Sequence, residues 1–248
     1  MYPRPQLKRE SFFLLNGQWD FAFDDENIGV LEGWSHTVRG DRKINVPFTY
    51  ETGKSGIGDE RPHGVIWYWK NITITNEFKK DQSIQINFEG CDYHLDLWVN
   101  GVYKGSHDGA YTRFAFELGK FAEGEEVLLS IRVEDPHSEE QVRGKQRWLS
   151  DNYGCWYVQT TGIWKDVWLE QVSDDYVEKI KITPDIYKKT VTIHTMCHSN
   201  KENLIMKSDV YFEGKFINSV SGKLEAGVCQ MDIDVYNKYV GEWGIELW

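Results

Sequence analysis

The chain has 248 residues, 40% hydrophobic and 27% charged, which is enough to bury more than one core and makes two domains the natural expectation. Its 28 Lys and Arg against 39 Asp and Glu leave a net charge of −11, which repels nucleic-acid phosphates and anionic membranes, so neither partner is expected. No apolar run approaches the roughly 20 residues of a membrane helix, and Met1-Tyr2-Pro3-Arg4-Pro5 lacks a signal-peptide core, so the expected location is cytoplasmic.

Aromatic residues make up 15% of the chain beside only six Pro, a mixture that suits packed β-sheets and also the C–H-rich faces of sugars. A long loop at 49–65 carries Gly53, Gly56, Gly58 and Gly64 with Pro62 and His63. Alternation then predicts a strand over 66–74, with Ile66, Tyr68, Ile72 and Ile74 on one side, and another over 84–88 through Ile84, Ile86 and Phe88. Further on, Tyr93, Leu95, Leu97 and Val99 alternate with His94, Asp96, Trp98 and Asn100. Asn100-Gly101 supplies two residues that tolerate positive φ, as a two-residue hairpin loop requires. Residues 127–133 repeat the strand pattern, and 163–169 carry it again through Ile163, Val167 and Leu169. The stretch between, 135–161, has no clear alternation. A loop of that length is normally functional or disordered, and Trp148, Tyr153, Trp156 and Tyr157 argue against disorder. Strands at short spacing with long returns predict an all-β sandwich of jelly-roll type.

A break falls at Val172-Ser173-Asp174-Asp175-Tyr176. Four strand-like runs follow, Val177–Thr183, Thr190–Cys197, Leu204–Phe212 and Val228–Val235. The four cysteines, Cys91, Cys155, Cys197 and Cys229, are far apart without Cys-x-x-Cys spacing, and all read as reduced, mostly buried residues. His107 invites a metal reading with Asp108 and His94, but the grouping lacks the helical or strand spacing of a ligand set, so neither metal nor cofactor is predicted.

Several segments, in order, carry a resemblance. They are Leu15-Asn16-Gly17-Gln18-Trp19-Asp20-Phe21, Ile44-Asn45-Val46-Pro47-Phe48 and Trp67-Tyr68-Trp69-Lys70. After them come the hairpin itself, Tyr111–Phe116, Leu129–Pro136, Arg143-Gly144-Lys145-Gln146 and Thr161–Glu170. Together they resemble the N-terminal region of the β-galactosidase and β-glucuronidase family of glycoside hydrolases, glycoside hydrolase family 2. Past residue 172 the match rests mainly on Glu242-Trp243 and Leu247-Trp248. The resemblance implies a jelly-roll, galactose-binding-domain-like sugar-binding domain over 1–172, followed by a partial immunoglobulin-like β-sandwich over 173–248. Such a sandwich takes about 100 residues, so the second is expected to be incomplete.

Retaining glycosidases use two carboxyl groups about 5–5.5 Å apart. In the family these are glutamates on a (β/α)8 barrel, which needs at least about 200 residues of alternating strand and helix and is not encoded here. No catalytic residue is therefore expected in this chain, and Asn76-Glu77, the pair that marks the family's acid/base, is read as a strand end entering a turn. The resemblance implies a role in shaping the substrate pocket of the absent barrel, with a β-glycoside as ligand and a homo-oligomer as a further possibility. Pocket-rim candidates are Trp156, His63, Arg61 and Asp151. Trp156 stands where better-known family members have a sugar-contacting aspartate, which exchanges a bidentate acceptor for an indole; packing against a neighbouring domain is the bland alternative. His63 otherwise reads as an ordinary surface histidine. Arg143, Lys145, Gln146 and Trp148 are expected at the interface with the barrel. Competing expectations are a free-standing carbohydrate-binding module and a pure assembly element.

Overall fold

The structure is a computed structural model that describes residues 2–136 and 140–235, so the closing Glu242-Trp243 and Leu247-Trp248 lie outside the described residues. Two compact units emerge, Arg9–Val172 and the chain from Ser173 onward, and the segment before Arg9 groups with the second unit. A short 3-10 turn at Pro5–Leu7 belongs to that grouping, and Arg4 Nη2 donates to the Glu178 carbonyl at 2.5 Å.

The first unit contains β1 (Phe12–Leu14), β2 (Gly17–Phe23), β3 (Arg42–Val46), β4 (Val65–Thr73), β5 (Ser83–Phe88) and β6 (Cys91–Asp92). It continues with β7 (His94–Val99), β8 (Val102–Asp108), β9 (Phe114–Gly119), β10 (Glu126–Glu134), β11 (Gly162–Ile163) and β12 (Val167–Val172). Four strands pair in the order β1-β12-β5-β9, and six in the order β3-β2-β4-β10-β7-β8. One core joins the two sheets: Tyr68, Leu95, Leu97, Leu129 and Ile131 come from the larger, Ile84, Ile86, Phe88, Val167 and Leu169 from the smaller. The fold is the all-β sandwich that the alternation predicts.

The hairpin closes as expected. Val99 pairs with Val102, and Asn100 and Gly101 both take positive φ, 49° and 79°. A Cβ on Gly101 would stand 2.1 Å from the His36 ring, so the glycine is needed for space as well as for φ. Asn100 is held further by its side-chain oxygen, which accepts from the Leu128 N–H at 2.8 Å.

Two features differ from the expectation. Only one side of β4 reads as buried in the alternation, yet Trp67 and Trp69 on its other side are buried too. The segment after β2 folds over them, bringing Trp34 and Val38 against the cluster of Trp67 and Trp69, on which Trp98 also packs. Asp24 locks this cover, because its carboxylate accepts from Trp67 Nε1 at 3.0 Å and from the N–H groups of Ile28 and Gly29. The predicted strand at 163–169 is also split. Gly162-Ile163 pairs with Cys91-Asp92, and pairing resumes only at Val167, opposite Phe88. Trp164 leaves the ladder between them, its indole donating to the Ala110 carbonyl at 2.9 Å.

The second unit holds β13 (Tyr176–Asp185), β14 (Thr190–His198), β15 (Ile205–Phe212), β16 (Lys215–Lys223) and β17 (Val228–Asp234). A three-stranded sheet β13-β14-β17 accompanies a β15-β16 hairpin. Five strands are thus described where four runs were expected. The missed β16, Lys-Phe-Ile-Asn-Ser-Val-Ser-Gly-Lys, hides its strand character because polar residues interrupt the apolar period. Gly222 on β16 lets the hairpin approach the sheet, since a Cβ there would lie 2.7 Å from Cys229 Sγ. Among the described residues no helix is long and apolar enough to cross a membrane.

Candidate functional site

The pairing of β4 with β10 fixes where the two long loops meet. Glu134 ends β10 opposite Val65, which begins β4, and also opposite His94 on β7. The loop that enters β4 and the loop that leaves β10 therefore share one end of the sandwich, beside Asp92. Loops held by a rigid sandwich are where binding groups concentrate.

Arg147 ties the two loops together. It is buried, and its guanidinium donates to Gln159 Oε1 (3.2 Å), Asn152 Oδ1 (3.1 Å), and both the carbonyl and the carboxylate of Glu60 (3.2 Å each). Gln159 Nε2 adds a bond to the Glu60 carbonyl at 2.8 Å. Within the longer loop, Arg147 N–H donates to the Tyr157 carbonyl, Tyr157 N–H to the Lys145 carbonyl, and Arg143 Nη2 to the Arg147 carbonyl. Gln146 reaches down to Asp92 Oδ2 at 2.7 Å, while its own oxygen accepts from Thr160 N–H at 3.2 Å. The segment is irregular in conformation but densely bonded, so many of its backbone and side-chain groups find partners without a ladder.

Three carboxyl groups lie buried beneath these loops: Glu51, Asp92 and Asp135. Burial pushes Glu51 up to about 8, against the pull of the Thr49 and Thr161 hydroxyls. Burial, reinforced by the Asp135 charge, pushes Asp92 up to about 7, although Gln146 and Arg143 favour its anion. Asp135 accepts from Thr161 Oγ1 at 2.8 Å and from Gln141 Nε2 at 2.5 Å. Burial and the neighbouring Glu51 also hold the Tyr50 phenol above its usual range, and its hydroxyl donates to the Arg61 carbonyl at 3.1 Å.

The rim candidates occupy different settings. His63 is buried and not a surface histidine: it stacks on Phe23 at 3.6 Å, with Nδ1 2.8 Å from Asp25 and Nε2 3.5 Å from Asp59. The pattern could not announce this, because the covering groups come from β2 and from the turn after it. Arg61 is exposed and pairs with Asp59, whose carboxyl its hydrogen bonds hold below the usual range. Asp151 is exposed, with Ser150 Oγ at 3.2 Å. Trp156 is half-buried and packs against Trp148 and Tyr153. Of the residues expected at a domain interface, Lys145 and Trp148 are exposed, whereas Arg143 and Gln146 are buried supports of the loop.

Arg147, Glu51 and Asp92 are buried polar residues of this end that sequence reasoning missed. The one available signal was the run Arg143–Trp148, in which a charged group beside Gln146 had no evident partner in sequence. Asn76-Glu77 lies in an exposed turn beyond β4, as expected. His94 sits between Asp96 and Asp108, and His107 stacks on Phe114 at 3.8 Å. Among the described residues no group of three His, Cys, Asp or Glu is arranged to hold a metal. All four cysteines are free; Cys91 and Cys229 are buried, Cys197 is half-buried and Cys155 is exposed, so two of the four depart from the expected burial.

The first unit is thus a two-sheet β-sandwich with aromatic, polar-anchored loops at one end. The model for the family "Glycosyl hydrolases family 2, sugar binding domain" matches residues 12–173, and the chain belongs to that family. It is similar to a β-glucuronidase of Paenibacillus borealis, 23% identical over 94% of this chain and 41% of that protein. A β-galactosidase of Thermoanaerobacterium thermosulfurigenes is 27% identical over 84% of this chain and 28% of its own length. Among solved structures, the Bifidobacterium dentium β-glucuronidase complexed with coumarin-3-O-glucuronide superposes with a TM-score of 0.71 at 18% identity, over 91% of this chain and 42% of that one. That likeness concerns the fold. The chain spans less than half the length of these relatives.

Proposed function

We propose that this chain is the non-catalytic N-terminal region of a cytoplasmic β-glycosidase. In this role it shapes the substrate pocket of a (β/α)8 barrel. The match of a sugar-binding domain across 12–173, in a chain covering under half of its glycosidase relatives, carries this reading. Trp156, Asp151, Arg61 and His63 stand at or beneath the rim, and Lys145 and Trp148 face outward for a neighbouring domain or ligand. A β-glycoside is the ligand, and assembly into a homo-oligomer belongs to the same proposal.

Glu51 and Asp92 invite a different reading, because shifted carboxyl pKa values cluster at catalytic sites. Their burial argues against it. Both lie under the loops with their protons held by lack of solvent, whereas a glycosidase acid must reach the glycosidic oxygen. The chain alone is therefore expected to leave aryl β-galactosides and β-glucuronides unhydrolysed, and to bind monosaccharides only at about millimolar affinity or weaker, since a partial pocket buries little of a ligand. Enzyme assay and calorimetric titration check both. Turnover that survives purification would overturn the reading, and micromolar affinity would favour a free-standing carbohydrate-binding module.

A further inference from the structure

We infer that the Glu51 carboxyl is a proton-operated latch: while it holds its proton, the end of the 140–161 loop stays seated over the 49–65 loop, and loss of the proton releases it. The inference stands whether or not this end of the sandwich meets a sugar. Glu51 is 6% exposed, and among the described residues neither of its carboxyl oxygens has a hydrogen-bond partner. A buried anion without donors is costly, whereas a protonated carboxyl is a neutral group that burial penalises far less. Thr49 and Thr161 favour the anion only weakly against burial, since the single Thr161 hydroxyl proton already bonds Asp135 Oδ2 at 2.8 Å.

Among the described residues the surroundings do not compensate that anion. The titratable groups facing Glu51 are Tyr50 beside it, Tyr68 from β4, and Asp135 after β10, which shares Thr161 with it. Cys91 and Asp92 on β6 face Tyr68 and Asp135 in turn. All of these are acids, so ionisation of any one adds repulsion. The two tyrosines stay neutral, because burial holds both phenols above their usual range. The basic groups of this end are engaged elsewhere: Arg143 with the Arg147 carbonyl, Arg147 with Glu60, Asn152 and Gln159, Arg61 with Asp59, and His63 with Asp25. Asp92 differs from Glu51 here, since Gln146 and Arg143 meet its charge.

Which side yields follows from how each is held. The turn that carries Glu51 is pinned: the Tyr50 carbonyl accepts from the Gly58 and Asp59 N–H groups at 2.9 and 3.1 Å, and Thr52 N–H donates to the Thr49 carbonyl at 3.1 Å. The stretch around Thr161 is held more thinly. Thr160 N–H donates to Gln146 Oε1 at 3.2 Å and Ile163 N–H to the Tyr68 hydroxyl at 3.3 Å, both long bonds to side chains, and β11 has only two residues. Water reaches a buried charge by the weaker wall, so this stretch is the part that lifts. Burial raises the carboxyl to about 8 in the closed arrangement, against an ordinary 4.5 once solvent reaches it. Opening therefore becomes easier as pH rises between those values, by up to about tenfold in open population per pH unit for one proton, and then levels off.

The test is amide exchange of the full chain at about pH 6 and about pH 8, read at Thr160 and Ile163 as protection relative to the unstructured rate at the same pH. Protection at both should fall at least about tenfold over that interval. It should also stay below that of Ile86 and Ile131 in the core, as a local opening requires. Asp92→Asn, which keeps an acceptor for Gln146, should still show the fall of about tenfold, and adding Glu51→Gln to it should flatten the response to within about twofold. A fall that survives in the double variant, or loop amides protected as strongly as Ile86 and Ile131, would refute the latch. The parent gives a check that needs no variant. Its Glu51 carboxyl carbon, followed by NMR, should titrate above about pH 6.5, and a midpoint near the ordinary 4.5 in the folded chain would equally overturn the latch. Glycosidase turnover by the chain would sink the rim proposal and leave these outcomes untouched, so the two can fail separately.

Discussion

The two units bury their strands differently. In the first, β12 has all six residues buried and β5 has five of six, because each lies between other strands with a second sheet across the core. In the second, β15 alternates exposed and half-buried residues up to Tyr211 and ends on two exposed ones, and β16 has none that is fully buried. The contrast shows that hydrophobicity alone does not set burial. Ile86 and Ile205 are the same residue in the same kind of strand, one enclosed and the other 73% exposed. What encloses Ile86 is a neighbour on each side and a facing sheet.

The largest expected effect tests that enclosure where it is densest. Trp67→Ala would empty a site filled on the outer face of β4 by Trp34, Trp69 and Trp98, and would also leave Asp24 without its indole donor. A loss of about 3–5 kcal/mol is expected for the first unit in equilibrium denaturant unfolding. A loss under about 1 kcal/mol would mean that the segment over Trp67 is a loose cover and not part of the core.

Trp67 also marks how far the sequence was legible. Alternation revealed the inner face of β4 through Ile66, Tyr68 and Ile72, because that face meets a full sheet. Its outer face was hidden, since Trp34 arrives from an irregular segment that no period describes. The hairpin at Asn100-Gly101 was fully readable, being a local requirement for two positive φ angles. The buried carboxyls were not. Glu51 lies in a loop, where a charged letter ordinarily means solvent, and only its burial beside Thr161 of the second loop reverses that meaning. His63 was hidden likewise, by Phe23 on β2 and Asp25 in the turn after it. The site was legible where aromatics interrupt a long loop, and illegible where one loop buries the polar groups of another.

A pH series sharpens the comparison further, because the second unit has no counterpart to Glu51 among its described residues. Glu51 is 6% exposed, and burial raises its folded pKa from the ordinary 4.5 to about 8. At pH values below the unfolded value both states hold the proton and no penalty exists. As pH rises from about 4.5 to about 8, the unfolded chain releases the proton freely while the folded chain resists, so stability falls across that window and then levels off. Glu51→Gln removes the ionisation. Whatever fixed packing cost the amide brings, the stability gap between variant and parent should move in favour of the variant by on the order of 2 kcal/mol between pH 5 and pH 9. Urea unfolding at the two pH values reads it. Parallel curves for both proteins would show that the carboxyl is already ionised or already solvated.

The smallest effect is expected at Ile205, and its smallness is informative. On β15 this side chain leaves most of its surface in water, so Ile205→Ser removes little burial and should change stability by no more than about 0.5 kcal/mol. Tyr211, Phe212 and Phe216 are exposed on the same hairpin, however, and apolar groups gathered on a strand pair are a common route to association. A second copy seated there would bury Ile205 and raise the cost of the serine above about 1 kcal/mol, in a manner that grows with protein concentration. Unfolding of parent and variant at two concentrations, with mass measured in solution, therefore tells an open hairpin from a covered one. Amide exchange gives the independent check: a monomer should exchange faster along β15 and β16 than along β5 and β10, where sheet and core close on both sides. Equal protection in a proven monomer would mean that the exposed hairpin owes its stability to its own backbone ladder, and that enclosure matters less than the contrast between Ile86 and Ile205 implies.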